Sequence, residues 1–116
     1  MPAQVFPSFV RQDANLSGRR HPRALFTVPI TVRHLRRGGV RTARGISLDL
    51  GVGGLGAIVQ GDVVVGDTVA IDLQLRQQWL TTVAIVRHTS GVSSGFEFVG
   101  LTPEERLRIA GVIGKS

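Results

Sequence analysis

At 116 residues the chain holds one domain with a single core, and is too short for a dinucleotide-binding domain plus a substrate domain. It has no apolar run of the roughly 18 residues a membrane span needs, and its lack of cysteine excludes a disulfide frame and a thiolate metal site. The net charge of +6 is carried by arginine, with Lys115 the sole lysine, which admits a nucleotide or nucleic-acid partner, or simply an arginine-rich composition.

Residues 1–18 carry two prolines in MPAQVFPSFV, no basic start and weak periodicity, and end in the turn-like Asn15-Leu16-Ser17-Gly18. They read as a flexible N-terminal segment, not a secretory signal, so the expected location is the cytoplasm. The domain is expected over residues 19–116. Leu25 to Arg33 alternates, with Phe26, Val28, Ile30 and Val32 on one face, and Pro29 marks an edge or bulge. Arg36-Arg37-Gly38-Gly39 reads as a turn whose arginines decorate its surface. A second strand runs from Val40 to Leu50, with Ile46, Leu48 and Leu50 on one side.

Further strands are expected at Leu55–Val59, Thr68–Arg76, Trp79–His88 and Gly95–Val99, with turns around Gly61 and Gly66. Trp79, Phe96 and Phe98 fall in strand patterns and are expected in the core. The period changes at Thr102-Pro103-Glu104-Glu105. An N-cap threonine, a proline at the first helical position and a glutamate three residues after the cap form a capping box. A helix follows to Gly111 or Gly114, and Leu107, Ala110 and Ile113 recur at the spacing of a packed face. The fold class is all-β with one C-terminal helix, as an antiparallel barrel or sandwich.

LDLGVGGLGAIV, residues 48–59, contains a G-x-G-x-x-G string at Gly51, Gly53 and Gly56. A pyrophosphate loop needs a helix after the glycines, because the helix N-terminal amides bind the phosphate. Here AIVQGDVVVGD follows, β-branched and broken by Gly61 and Gly66. The string is therefore a turn between strands. No nucleophile with a base, paired carboxylates or metal cluster can be named, so no enzyme is expected, and His21, His34 and His88 read as surface or partly buried residues.

Another grouping of the same residues carries more. Asp49-Leu50-Gly51-Val52-Gly53-Gly54 resembles the D-x-S-x-x-G motif of the PilZ domain family, with Gly51 where that family has serine. Arg19-Arg20-His21-Pro22-Arg23 is similar to its R-x-x-x-R motif, in the expected order and separation, and GFEFVGLTPEERLRI looks like the family's last strand and closing helix. The resemblance covers roughly residues 18–113. It implies a six-stranded antiparallel β-barrel that binds cyclic di-GMP without further cofactor and relays it to a downstream protein. On that resemblance Arg19 and Arg23 fold over guanine and phosphate, with Arg20 as a further phosphate contact. Asp49 accepts from guanine N1/N2 or braces an arginine, and Gly54 supplies an unusual backbone angle or a close approach to the ligand.

Each residue also has a plainer reading. The arginines can be a solvated entry to the first strand, Asp49 a turn cap, and Gly53 and Gly54 turn formers. Ser47 fits the motif in no register, and without a hydroxyl at Gly51 the ligand loses a hydrogen bond worth about 1.5–3 kcal/mol unless a turn amide or a water replaces it. The alternatives are a degenerate PilZ domain acting as a protein-interaction module and a small basic nucleic-acid-binding barrel. Aromatic residues do not interleave with the basic ones as single-strand binding favours, which leaves nucleic acid the minor reading.

Overall fold

The computed structural model describes residues 23–36 and 39–114. The expectations for residues 1–18, for Arg19, Arg20 and His21, and for Arg37 lie outside these. Seven strands, β1 (Ala24–Leu25), β2 (Pro29–Arg36), β3 (Gly39–Leu50), β4 (Gly54–Val59), β5 (Thr68–Leu75), β6 (Gln78–Ser90) and β7 (Ser93–Phe98), precede helix α1 (Pro103–Ile113). All pairings are antiparallel. The order β3-β2-β5-β6-β7-β4 closes through β3–β4 into a six-stranded barrel, and two-residue β1 adds beside the end of β3.

The barrel forms because alternating strands turn their apolar residues inward. Ile30 and Val32, Val69, Ile71 and Leu73, Leu80, Ala84 and Val86, and Phe96 and Phe98 join Leu50 and Leu55 in one core. Among the described residues, closing the sheet leaves no long open edge of unpaired amides. The first expected strand is split. Pro29, which has no amide proton to give a ladder, opens β2, and Phe26–Val28 bridge it to β1. Ser47, fully buried, fastens this bridge. Its Oγ accepts from the Val28 amide at 3.0 Å and donates to the Phe26 carbonyl at 2.5 Å.

Three expectations about orientation change. Ile46 and Leu48 do not share a face with Leu50, because the β3–β4 register slips between Ser47 and Asp49. This bulge leaves Ile46 and Leu48 on the surface and Ser47 and Leu50 in the core. The capping box at Thr102 and Glu105 forms as expected, but α1 packs through Ile109 and Val112, while Leu107 is 73% exposed. Trp79 is also outside the core, at 55% exposure; its carbonyl meets the Arg108 guanidinium at 3.5 Å. His34 is buried, its Nδ1 3.8 Å from an Asp67 carboxylate oxygen.

On the outer surface, Arg33 from β2 makes two contacts to Asp72 of β5, at 3.1 and 3.0 Å, and the Thr81 hydroxyl donates to the same carboxylate at 2.7 Å. Burial opposes ionisation of Asp72, but the hydrogen bonds from Arg33 and Thr81 and the Arg33 charge outweigh it and hold the carboxyl below its usual range. A carboxyl more acidic in the folded than in the unfolded chain stabilises the fold at neutral pH, and the contribution is lost as pH falls through and below about 4. The melting temperature of Asp72→Asn is therefore expected to lie below that of the parent at about pH 6 and to approach it at about pH 3. A gap of equal size at both pH values would mean the ionised form of Asp72 contributes nothing.

Removing the Ser47 hydroxyl leaves the Val28 amide and the Phe26 carbonyl each short of a partner. Urea denaturation of Ser47→Ala is expected to show a loss of about 1–3 kcal/mol. A loss below about 0.5 kcal/mol would place the hold on this bridge elsewhere.

Candidate functional site

The bulge at Leu48 also determines where Asp49 points. With one extra residue on β3, Ser47 pairs with Ala57 and Asp49 pairs with Gly56, so Ser47 faces the core and Asp49 the outer surface. Its Oδ1 accepts from the Gly56 amide at 3.0 Å and from Arg23 Nη1 at 3.1 Å. Asp49 thus bonds across to β4 and pairs with Arg23 through the same oxygen. Oδ2 receives no hydrogen bond from any described residue.

Arg23 stands immediately before β1, which pairs through Leu25 with Asp49 itself. Its side chain is only 18% exposed and that of Asp49 30%, so the pair is partly shielded from water and from salt. Such a shielded pair fixes the guanidinium more firmly than a surface ion pair would.

Gly54 has no unusual backbone angle. Among the described residues the left-handed glycines are Gly61, Gly66 and Gly91. A close approach does require it: a Cβ there would overlap the Phe96 carbonyl oxygen of β7 and lie 3.2 Å from Arg23 Nη2. Glycine at position 54 lets β4 meet β7 and leaves room for the guanidinium. Gly51 is buried, and its amide donates to the Gly54 carbonyl at 2.9 Å, closing the turn. That amide is spent within the turn and is not a substitute for a serine hydroxyl. Ser47 is bonded to the Phe26–Val28 bridge and does not replace one either.

The structure therefore brings together Arg23, Asp49 and Gly54, with Gly51 closing the turn between them. Two residues absent from the motif reading stand beside them. Gly56 pairs with Gly95 on β7, and Gly95 pairs with His88 on β6. No sequence spacing marks them, because they meet Asp49 only through barrel closure. Among the described residues no group of three or more metal-binding side chains occurs, and no helix is long and apolar enough to cross a membrane.

Comparison with protein-family models matches the PilZ domain over residues 17–114. No curated protein matches the chain. Among solved structures the chain is similar to the PilZ domain of CeSA from a cellulose-synthesizing bacterium, with a TM-score of 0.62 and 18% identity over 81% of this chain and 97% of that one. It is similar to the PilZ domain with c-di-GMP of YcgR from Escherichia coli, with a TM-score of 0.69 and 18% identity over 84% and 90% of the two chains. The Bacillus subtilis inhibitor of motility, MotI/DgrA, aligns with a TM-score of 0.69 and 12% identity over 86% of this chain and 51% of its own. At such identities these structures speak for the fold alone, whereas the family match spans most of the sequence. The chain belongs to the PilZ domain family.

Proposed function

We propose that this domain is a cyclic di-GMP receptor without catalytic activity, and that the ligand lies on the outer face of β3 and β4 beneath the segment carrying Arg19, Arg20 and Arg23. The observation that carries this reading is the partly shielded Arg23–Asp49 pair, bonded to the Gly56 amide and set beside Gly54. It joins a residue of each of the two motifs at one place. The E. coli YcgR PilZ domain, similar in fold, is described with c-di-GMP.

The chemistry suits a dianionic guanine ligand. Arginine offers a planar fork to guanine O6/N7 or to a phosphate, and a carboxylate with an open oxygen accepts from guanine N1 and N2. The Arg23–Asp49 pair has little to gain from solvent, so a guanine edge added at Asp49 Oδ2 extends the pair without breaking it. Arg19 and Arg20 would close over the ligand's phosphates. The altered surface would then be what a downstream partner in the cytoplasm reads.

A second reading, a protein-interaction module that binds no nucleotide, is favoured by one observation. Gly51 has no hydroxyl and its amide is already bonded to the Gly54 carbonyl. The two readings part in a titration. Calorimetry with cyclic di-GMP is expected to show binding, weakened about 10- to 100-fold in Arg23→Ala, as loss of a hydrogen bond from a charged donor implies. Absence of heat from folded protein at high micromolar concentration would favour the interaction module. Unchanged affinity in Arg23→Ala would leave the receptor standing but move its site.

A further inference from the structure

A second bulge mirrors the first. On β6 the register with β7 slips between Val86, paired with Phe96, and His88, paired with Gly95, so Arg87 is the extra residue. Inward alternation through Leu80, Thr82, Ala84 and Val86 would carry His88 into the barrel, but the bulge turns it onto the outer surface. Arg87 is fastened there by an ion pair to Glu97 of β7 at 2.5 Å.

The two bulges flank β4 and β7 and aim their side chains at one row across four strands: Asp49, Gly56, Gly95, His88. Both glycines are overhung. A Cβ on Gly56 would lie 3.2 Å from Asp49 Oδ1 and 3.3 Å from Oδ2, and a Cβ on Gly95 would collide with the His88 imidazole, Nε2 first. A carboxylate and an imidazole thus face each other over a floor without side chains. They make no ion pair with one another. The two glycines they overhang are paired on adjacent strands, which lie about 5 Å apart.

We propose that His88 is a base-reading residue of the ligand site, its Nε2–H donating to guanine O6 while Asp49 accepts from N1 and N2 of the same base. This inference rests on the cyclic di-GMP reading. The guanine Watson–Crick edge presents an acceptor beside two donors, and the row presents a donor on one flank and an acceptor on the other. Adenine reverses the pattern, offering a donor at N6 and an acceptor at N1, so the same pair turns it away. The two glycines let the purine lie close to the strand backbone, and Gly95 is also what admits the imidazole to its position.

The test is calorimetry on the whole chain with cyclic di-GMP and cyclic di-AMP, using the parent, Arg23→Ala, His88→Ala, His88→Gln and Gly95→Ala, each first shown folded by circular dichroism. His88→Ala is expected to weaken cyclic di-GMP binding about three- to tenfold, the effect of one neutral hydrogen bond, and to narrow the preference over cyclic di-AMP. His88→Gln, which keeps an N–H donor, is expected to recover part of both. Gly95→Ala, which displaces the imidazole and puts a methyl on the floor beneath the purine, is expected to weaken binding at least as much as His88→Ala. Binding weakened by Arg23→Ala but within twofold of the parent in His88→Ala would overturn the role of His88 and leave the receptor reading intact. No binding by the folded parent would overturn both.

Discussion

Closing the barrel requires β3 to pair with β4 after already pairing with β2, and the site depends on how that last pairing is made. A strand of twelve residues serving three neighbours cannot keep a single regular alternation and a tight curvature together. The bulge at Leu48 resolves this conflict by bending β3 and shifting its inward phase by one residue. Ser47 and Leu50 are then both inside, and the two residues between them, Leu48 at the bulge and Asp49 after it, face out. The same event that seats the core therefore exposes the carboxylate, and neither can be changed alone.

From that carboxylate the order of the neighbourhood follows. Asp49 Oδ1 takes the Gly56 amide and the Arg23 guanidinium, so the bend in β3 reaches through one oxygen to β4 and to the segment before β1. Ser47 on the opposite face holds Phe26 and Val28 by their backbone, tying the chain three residues beyond Arg23 to the inside of the same bulge. Arg23 is thus gripped from two directions, by charge outside the barrel and by buried hydrogen bonds within. Gly54 completes the arrangement negatively: any side chain there would push against β7 and crowd the guanidinium.

What was legible in the sequence follows from which interactions are local. Strand positions and the capping box at Thr102 and Glu105 were readable because alternation and capping act within a few residues. The barrel came through motif resemblance, and so did the grouping of Arg23, Asp49 and Gly54, which lie 26 and 31 positions apart along the chain and are brought close only by pairing. The faces of Ile46 and Leu48 were misread because a bulge leaves no mark in an apolar/polar pattern. Leu107 was misread because α1 carries apolar residues on two stripes, and contact with the barrel selects Ile109 and Val112. Trp79 was misread from its bulk, although it stands at the start of β6, where the inward phase begins at Leu80. Gly95 and His88 carried no signal, being joined to Asp49 only across β4 and β7.

Gly51 takes on a different meaning in this setting. The D-x-S-x-x-G motif brings a hydroxyl to the ligand from the turn after β3, and here that turn instead closes on itself through the Gly51 amide and the Gly54 carbonyl. The outer surface carries a row of paired residues with Asp49 at one end, His88 at the other and two glycines between. A turn hydroxyl bonded to a charged phosphate is worth about 1.5–3 kcal/mol, and the one neutral bond proposed for His88 about 0.5–1.5 kcal/mol, so the second would offset only part of the first. The difference is in what each group reads. On the reading proposed above, a donor on the His88 flank would meet only a base edge that offers an acceptor next to its donors, whereas a turn hydroxyl can serve a phosphate or a base, so a site of this kind would weigh the guanine above the phosphates.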